Sequence, residues 1–437
     1  MFDLLLRGAT LPGGERGVDI GIEHGRIAAV SPNLEGEAHK EIDVTGRLVT
    51  PPFVDAHMHM DYALRAGQPR PNETGTLLEG IALWGELRPE LNTQSIYDYA
   101  KKLCLWSIAR GTLMIRSHVD ICDDRLLGVQ ALTQLRKDMM PWLDIQLVAF
   151  PQDGFLRAPN AHRNLLRALD MGVDVIGGIP HLERTYDEGT LSIRQLMRLA
   201  ADRGLRVDMH CDEVDDPNSR HIETLTAETV RLGLQGRVAG SHLTSMHSMD
   251  NYYVSKLIPL MVEARLGAIA NPLVNITLQG RHDTYPKRRG MLRVKELRQA
   301  GITVAFGHDC VMDPWYGLGS HDMLEVASMG LHVGQMTGPH EMRACFQAVT
   351  TEPARILGFD EHYGIKPGYE ASLVVLQAAD EAESIRLRAE RLYVIRRGKI
   401  IASTAPHKSQ VVLDEFTADV DFTRAGLEND MRMTMPS

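Results

Sequence analysis

Two histidines with one residue between them, His57 and His59, close the apolar run Pro52-Phe53-Val54. Side chains alternate faces along a strand, so imidazoles at this spacing project together from one strand end. A metal ion needs that arrangement. Three more polar groups, His210, His242 and Asp309, fall at the ends of later strand-like runs. The expected ligand set is His57, His59, His210 and Asp309. Three neutral imidazoles and a carboxylate suit Zn²⁺ or Fe²⁺ and leave a position for water. A bound cation lowers the pKa of water toward about 7 and so supplies hydroxide at neutral pH. His242 and Asp309 itself are the candidate bases for the released proton.

Glu213 lies three residues after His210, in His210-Cys211-Asp212-Glu213. A carboxyl so near a ligand can carry a proton from the attacking water to a leaving group or ring nitrogen. The alternative is an acid at a helix N-terminus, favoured there by the helix dipole. Many two-metal (β/α)8 barrels bridge their ions with a lysine from the fourth strand, but no lysine occurs between Lys137 and Lys256, which leaves a glutamate bridge as the alternative. One divalent metal is the simpler expectation.

The elements that must position these groups are βα units. Short β-rich apolar runs alternate with amphipathic stretches through the middle of the chain. Eight candidate strands end near His59, His118, Gln152, His181, His210, His242, Asn271 and Asp309, with helices expected over Ile193–Arg203 and Met291–Ala300. Eight repeats in about 260 residues fit an α/β fold of the (β/α)8 barrel type, whose chemistry sits at the C-terminal ends of the strands. Residues 1–50 and the stretch from 368 onward read as short, glycine-punctuated antiparallel strands that pair into one small β-sandwich. The predicted division is therefore 1–50, 51–367 and 368–437. From about Leu413 the chain becomes polar and irregular, with no catalytic work assigned.

The 437 residues carry a formal charge of −10 and 44% hydrophobic residues. An acidic chain argues against a nucleic-acid polymer as partner, because phosphates call for clustered Lys and Arg. A free base carries no phosphate and stays admissible. No run approaches the ~18 apolar residues of a membrane span, and the N-terminus lacks a secretory signal pattern. Cysteines 104, 122, 211, 310 and 345 are odd in number and form no CxxC. They point to small core hydrophobes in a reducing cytoplasm. His118 and His181 end strands facing the same mouth and are expected to support the ligands, whereas the other histidines, His247, His282 and His321 among them, are expected in loops, on the surface or in packing roles.

Longer stretches carry a resemblance. They are Ala66-Gly67-Gln68-Pro69, Gly75-Thr76-Leu77-Leu78-Glu79-Gly80, Phe150-Pro151-Gln152-Asp153-Gly154 and His210-Cys211-Asp212-Glu213. Ser241-His242, Asn271-Pro272-Leu273-Val274-Asn275-Ile276, Phe306-Gly307-His308-Asp309 and Asp313-Pro314-Trp315-Tyr316 continue them. Over nearly its whole length the chain resembles the amidohydrolase superfamily and, more closely, the bacterial cytosine deaminases. The resemblance implies hydrolytic loss of an exocyclic amine from a free pyrimidine base: hydroxide adds at C4, Glu213 passes a proton to ring N3, and His242 and Asp309 activate the water. It implies that Gln152 reads the O2/N1–H edge, since an amide offers both donor and acceptor. Leu77, Phe150 and Trp315 would wall the flat ring, with ordinary core packing as their alternative. Relatives of this size also imply a homo-oligomer.

One departure bears on substrate. Cytosine deaminases of this type commonly carry two consecutive aspartates where this chain has Asp309-Cys310. A thiol at the second place opens uncharged space beside C5, where burying a methyl gains on the order of 1 kcal/mol. The expected substrate is thus 5-methylcytosine, giving thymine, with cytosine also accepted. Cytosine as main substrate, an N-alkylaminotriazine or cyclic amide, and a non-catalytic metal-binding barrel are the competing readings.

Overall fold

The computed structural model describes residues 1–414, 416–424 and 426. Five short strands open the chain: β1 (Leu4–Ala9), β2 (Val18–Glu23), β3 (Arg26–Ser31), β4 (Glu41–Asp43) and β5 (Leu48–Thr50). Eight strands follow: β6 (Phe53–Met58), β7 (Thr112–Asp120), β8 (Asp144–Phe150), β9 (Val175–Gly178), β10 (Arg206–Cys211), β11 (Val238–His242), β12 (Gly267–Ala270) and β13 (Val304–Phe306). They pair in parallel, each with its sequence neighbour, in one eight-stranded sheet with helices on the connections. Their residues are almost wholly buried, as parallel strands covered by helices must be. This is the expected (β/α)8 architecture.

The first and last strands meet through backbone groups at the mouth of the barrel. Asp309 N–H donates to the His57 carbonyl at 2.7 Å, and His59 N–H donates to the Asp309 carbonyl at 3.2 Å. Gly307 makes this approach possible, since a Cβ there would stand 2.6 Å from both the His57 Cβ and the Asn271 Oδ1. Asp55 ties the same seam from inside: one oxygen accepts the N–H groups of His57 and His308, each at 3.1 Å. Its other oxygen meets His321 Nε2 at 2.8 Å.

The terminal segments form two four-stranded sheets, β3-β2-β1-β4 and, with β14 (Leu373–Leu376), β15 (Arg391–Arg396) and β16 (Lys399–Ser403), β16-β15-β14-β5. Leu6, Ile20 and Ile22 of the first share one apolar cluster with Val49, Val375 and Ile395 of the second, which makes a sandwich. Among the described strands β5 crosses between the chain ends, pairing antiparallel with β14, and an isolated bridge joins Arg26 to Glu370.

Two expectations need correction. The segment after Leu413 is not wholly irregular: β17 (Ser409–Leu413) pairs antiparallel with β18 (Phe416–Val420). The alternation Phe416, Ala418, Val420 has period two, but Thr417 and Asp419 between them gave it a polar, loop-like texture. Residues 427–437 of that stretch lie outside the described residues. The helix expected over Met291–Ala300 spans only Val294–Gln299. Met291 and Leu292 are buried without being helical, and the Arg293 side chain is spent on the carbonyls of Met246 and Met249.

Arg391 joins sandwich to barrel. It is 1% exposed, its guanidinium grips the Asp322 carboxylate, which caps the helix Met323–Val333, and its Nε donates to the Arg110 carbonyl at 3.0 Å. Truncating Arg391 leaves the buried Asp322 carboxylate with only the more distant Arg110 guanidinium, at 3.6 Å. Arg391→Ala is therefore expected to lower unfolding stability by about 3–5 kcal/mol, measured as the shift of a urea denaturation curve. A loss below about 1 kcal/mol would show the junction to be solvated.

Candidate active site

Four donor groups converge where β6, β10 and β13 end. One ligand atom each from His57, His59, His210 and Asp309 lies within 4.8 Å of the others, and all four residues are buried. The Nε2 atoms of His59 and His210 face each other at 3.0 Å. Asp309 Oδ1 stands 3.4 Å from His57 Nε2 and 3.5 Å from His59 Nε2. Burial holds the pKa of His57 and His59 down at about 3, so both imidazoles are neutral donors. His210 is likewise pushed well below the usual range by burial and by neighbouring histidines.

The chain fixes which nitrogen of His57 faces the centre. Ser241 Oγ donates to Asp208 Oδ1 at 2.7 Å, so its oxygen is left to accept from His57 Nδ1 at 2.9 Å. That puts the ring proton on Nδ1 and leaves a bare Nε2 with no hydrogen-bond partner of its own. Bare, buried, converging nitrogens beside a carboxylate fit a divalent cation, and the site's geometry serves one. A second group of donors, His57, His118 and Asp208, also lies close together. There Arg116 Nη1 already neutralises Asp208 at 2.8 Å, which disfavours another cation. The fourth strand, Val175–Gly178, offers no lysine to bridge two ions.

His242 and Glu213 sit beside this centre. His242 Nδ1 is 3.4 Å from Glu213 Oε1, and its Nε2 is 3.9 Å from Asp309 Oδ2. Asn275 Oδ1 accepts the Asn271 N–H at 3.1 Å, so its amide nitrogen is the end that meets His242 Nδ1 at 3.0 Å. That contact leaves the His242 proton on Nε2, toward Asp309. Burial, with the nearby Asp309 charge, raises the Glu213 carboxyl well above the usual range. Burial also raises Asp309, against the opposing pull of His242 and His59. His242 and Asp309 both have φ near +70° (71° and 68°), a left-handed backbone that costs about 1–3 kcal/mol in a residue other than glycine.

A small cavity of about 30 Å³ opens over the centre. Of the residues expected around a ring, Gln152, Leu77, Cys310 and Trp315 line it, together with Glu213 and His242. Phe150 does not. It is the last residue of β8, fully buried, and its ring stacks on His210 with centroids 4.0 Å apart. It therefore backs a donor rather than walling the space, and Gln152, two residues on, reaches the cavity instead. The Cys310 thiol is 3.8 Å from Asp309 Oδ1, and burial raises it well above the usual thiol range, so it is neutral. Trp315 rests on the helix Leu77–Leu87 at Gly80, where a Cβ would stand 2.4 Å from the indole.

The sequence reading passed over several groups. Tyr62 lines the cavity and lies parallel to His59, centroids 4.7 Å apart. Ile81, Ile179, Leu182 and Leu278 also line it, and only their strand-end or helix positions hinted at this. His321, expected in a loop, is fully buried between Asp55 and Ser107, with Nδ1 2.6 Å from the serine oxygen. His118 and His181, by contrast, were expected at this mouth: His118 sits within the donor cluster, 4.1 Å ring to ring from His57, with both nitrogens unpartnered. His181 lines the cavity from the β9 side.

Residues 40–402 match the amidohydrolase family. Among curated proteins, N-isopropylammelide isopropyl amidohydrolase of Pseudomonas sp. (strain ADP) is 28% identical over 410 residues, covering 92% of this chain and 97% of that protein. Pterin deaminase of Rhizobium rhizogenes is 27% identical over 395 residues, 89% and 88% of the respective chains. Among solved structures, 5-methylcytosine deaminase from Klebsiella pneumoniae, liganded with phosphonocytosine, is 39% identical with a TM-score of 0.90, covering 92% of this chain and 99% of that one. With a cluster of histidines and aspartate at the mouth of a (β/α)8 barrel and relatives matched end to end, the chain belongs to the amidohydrolase family and is a hydrolase of C–N bonds related to the deaminases.

Proposed function

We propose that this enzyme deaminates a free pyrimidine base at C4, with 5-methylcytosine converted to thymine and ammonia and cytosine accepted as a second substrate. The observation that carries the reading is the neutral Cys310 side chain, buried in the cavity wall directly after Asp309. A carboxylate at that place would lose hydration against a ring methyl, whereas a thiol gains contact with it. The likeness to the Klebsiella 5-methylcytosine deaminase supports the same choice.

One divalent cation, zinc or iron, would be held by His57, His59, His210 and Asp309, and when bound it acidifies water at neutral pH. The chain's own groups do the rest. Gln152 presents both a donor and an acceptor to the O2/N1–H edge and so sets the ring's orientation. Asp309 takes up the water's proton, and His242, its Nε2–H directed toward Asp309, holds that carboxylate beside the reacting carbon. Glu213, whose burial keeps it protonated, donates to ring N3 and then serves the departing nitrogen. Leu77 and Trp315 exclude bulk water from the ring faces.

Ammonia release from a panel of cytosine, 5-methylcytosine, 5-fluorocytosine, isoguanine, pterin and N-isopropylammelide tests the assignment. The expected result is the highest kcat/KM on 5-methylcytosine; a value well below that for cytosine would reject the methyl preference. Cys310→Asp should lower the 5-methylcytosine-to-cytosine ratio of kcat/KM by about fivefold or more, the equivalent of roughly 1 kcal/mol of methyl burial. Glu213→Gln keeps the shape and removes the transferable proton, so kcat should fall by about 10²- to 10⁴-fold with metal content unchanged. Protein depleted by a chelator should lose turnover and regain it on adding one equivalent of Zn²⁺ or Fe²⁺ per chain, measured against metal content by elemental analysis.

A further inference from the structure

Tyr62 has a chemistry that the reading above leaves unused. It is 2% exposed and lines the cavity, and its ring is fixed on three sides. His59 stacks on it at 4.7 Å, Trp315 lies 4.6 Å away, and Trp84 meets it edge-on at 5.0 Å. Those contacts immobilise the ring but engage only its carbon frame. Its hydroxyl has no hydrogen-bond partner among the described residues. On a cavity wall such a hydroxyl is met by water until a ligand atom takes that place.

The surrounding wall narrows what that ligand atom is. On the side of the cavity formed by Tyr62, Cys310, Trp315, Leu77 and Ile81, hydrogen-bonding capacity is scarce. Leu77 and Ile81 have none, and the Cys310 thiol is a weak donor. The Trp315 indole edge, Nε1 included, lies against Gly80, where a Cβ would stand 2.6 Å from that nitrogen. The strong polar groups, Gln152, Glu213 and His242, come from other strand ends. A base whose reacting carbon faces Asp309 and His242 carries its exocyclic nitrogen on that same carbon. Of the groups flanking Asp309 on this wall, Tyr62 alone offers a full-strength partner.

We infer that the Tyr62 hydroxyl accepts a hydrogen bond from the exocyclic nitrogen that leaves, and so is a further catalytic residue of the deamination. This rests on the assignment of an aminopyrimidine to the site. As oxygen adds to the ring carbon, the nitrogen changes from a planar amine to a pyramidal one with a free lone pair. Tyr62 holds one of its N–H bonds and thereby aims the lone pair at the carboxyl of Glu213. That group, having passed its own proton to ring N3, receives the one Asp309 drew from the water and delivers it to the nitrogen. The C–N bond then breaks with its electrons on nitrogen, the added oxygen gives its remaining proton to the Asp309 carboxylate, ammonia departs, and the ring is left with a carbonyl. The phenol keeps its own proton throughout.

Tyr62→Phe removes the hydroxyl and preserves the stack, and the test compares it with the wild-type holoenzyme on cytosine and 5-methylcytosine. The expected result is a kcat lower by about 10- to 100-fold on both bases, KM changed less than threefold, and metal content and melting temperature unaltered. A kcat/KM within twofold of wild type would overturn the inference, and so would loss of bound metal, which would make Tyr62 a support for His59. A wild-type enzyme that turns over neither base would instead refute the substrate assignment, an outcome distinguishable from failure of the Tyr62 variant alone.

Discussion

The site depends on the seam that joins the first barrel strand to the last. Asp309 and its neighbours are hydrogen-bonded to the backbone of His57 and His59, and Asp55 stitches His57 to His308 from below. Through that seam a carboxylate late in the chain reaches two imidazoles near its start. Hydrogen bonds of this kind are worth only about 1 kcal/mol each. Their value is geometric, because donors displaced by an ångström no longer share a centre.

Burial then sets the electrostatics. Imidazoles removed from water resist protonation, so His57, His59 and His210 keep the lone pairs that a cation needs. The same desolvation has the opposite effect on Glu213, favouring the protonated carboxyl and thus a proton available for transfer. One dry cavity thereby prepares acid and ligand together, by acting on groups whose charged forms have opposite sign. The tautomers follow from polar groups beneath: the Arg116–Asp208–Ser241 chain orients His57, and Asn271 with Asn275 orients His242.

Much of this was legible in the linear chain. The His57-x-His59 spacing, the strand ends at His210 and His242, and the carboxylate of Asp309 point to one cluster because period-two alternation and βα repetition are local properties. Gln152, Leu77, Cys310 and Trp315 were legible through longer matched stretches. Phe150 was misplaced for a physical reason: position at a strand end fixes which face a side chain takes but not its depth, and this ring sank beneath His210. Tyr62, Asp208 and His321 went unread because their neighbours are distant in sequence. The strand Phe416–Val420 was hidden by its polar alternate residues.

By itself the sequence determined the barrel, its flanking β segments and which histidines and carboxylates gather at the barrel's mouth, since each follows from residue type and short-range period. Only the tertiary structure decided which nitrogen of His57 faces the centre, which apolar side chains border the cavity, and that a phenol without a partner among the described residues stands on its wall. Those outcomes turn on distances between segments far apart in the chain. Such distances are set by packing, and no local pattern encodes them.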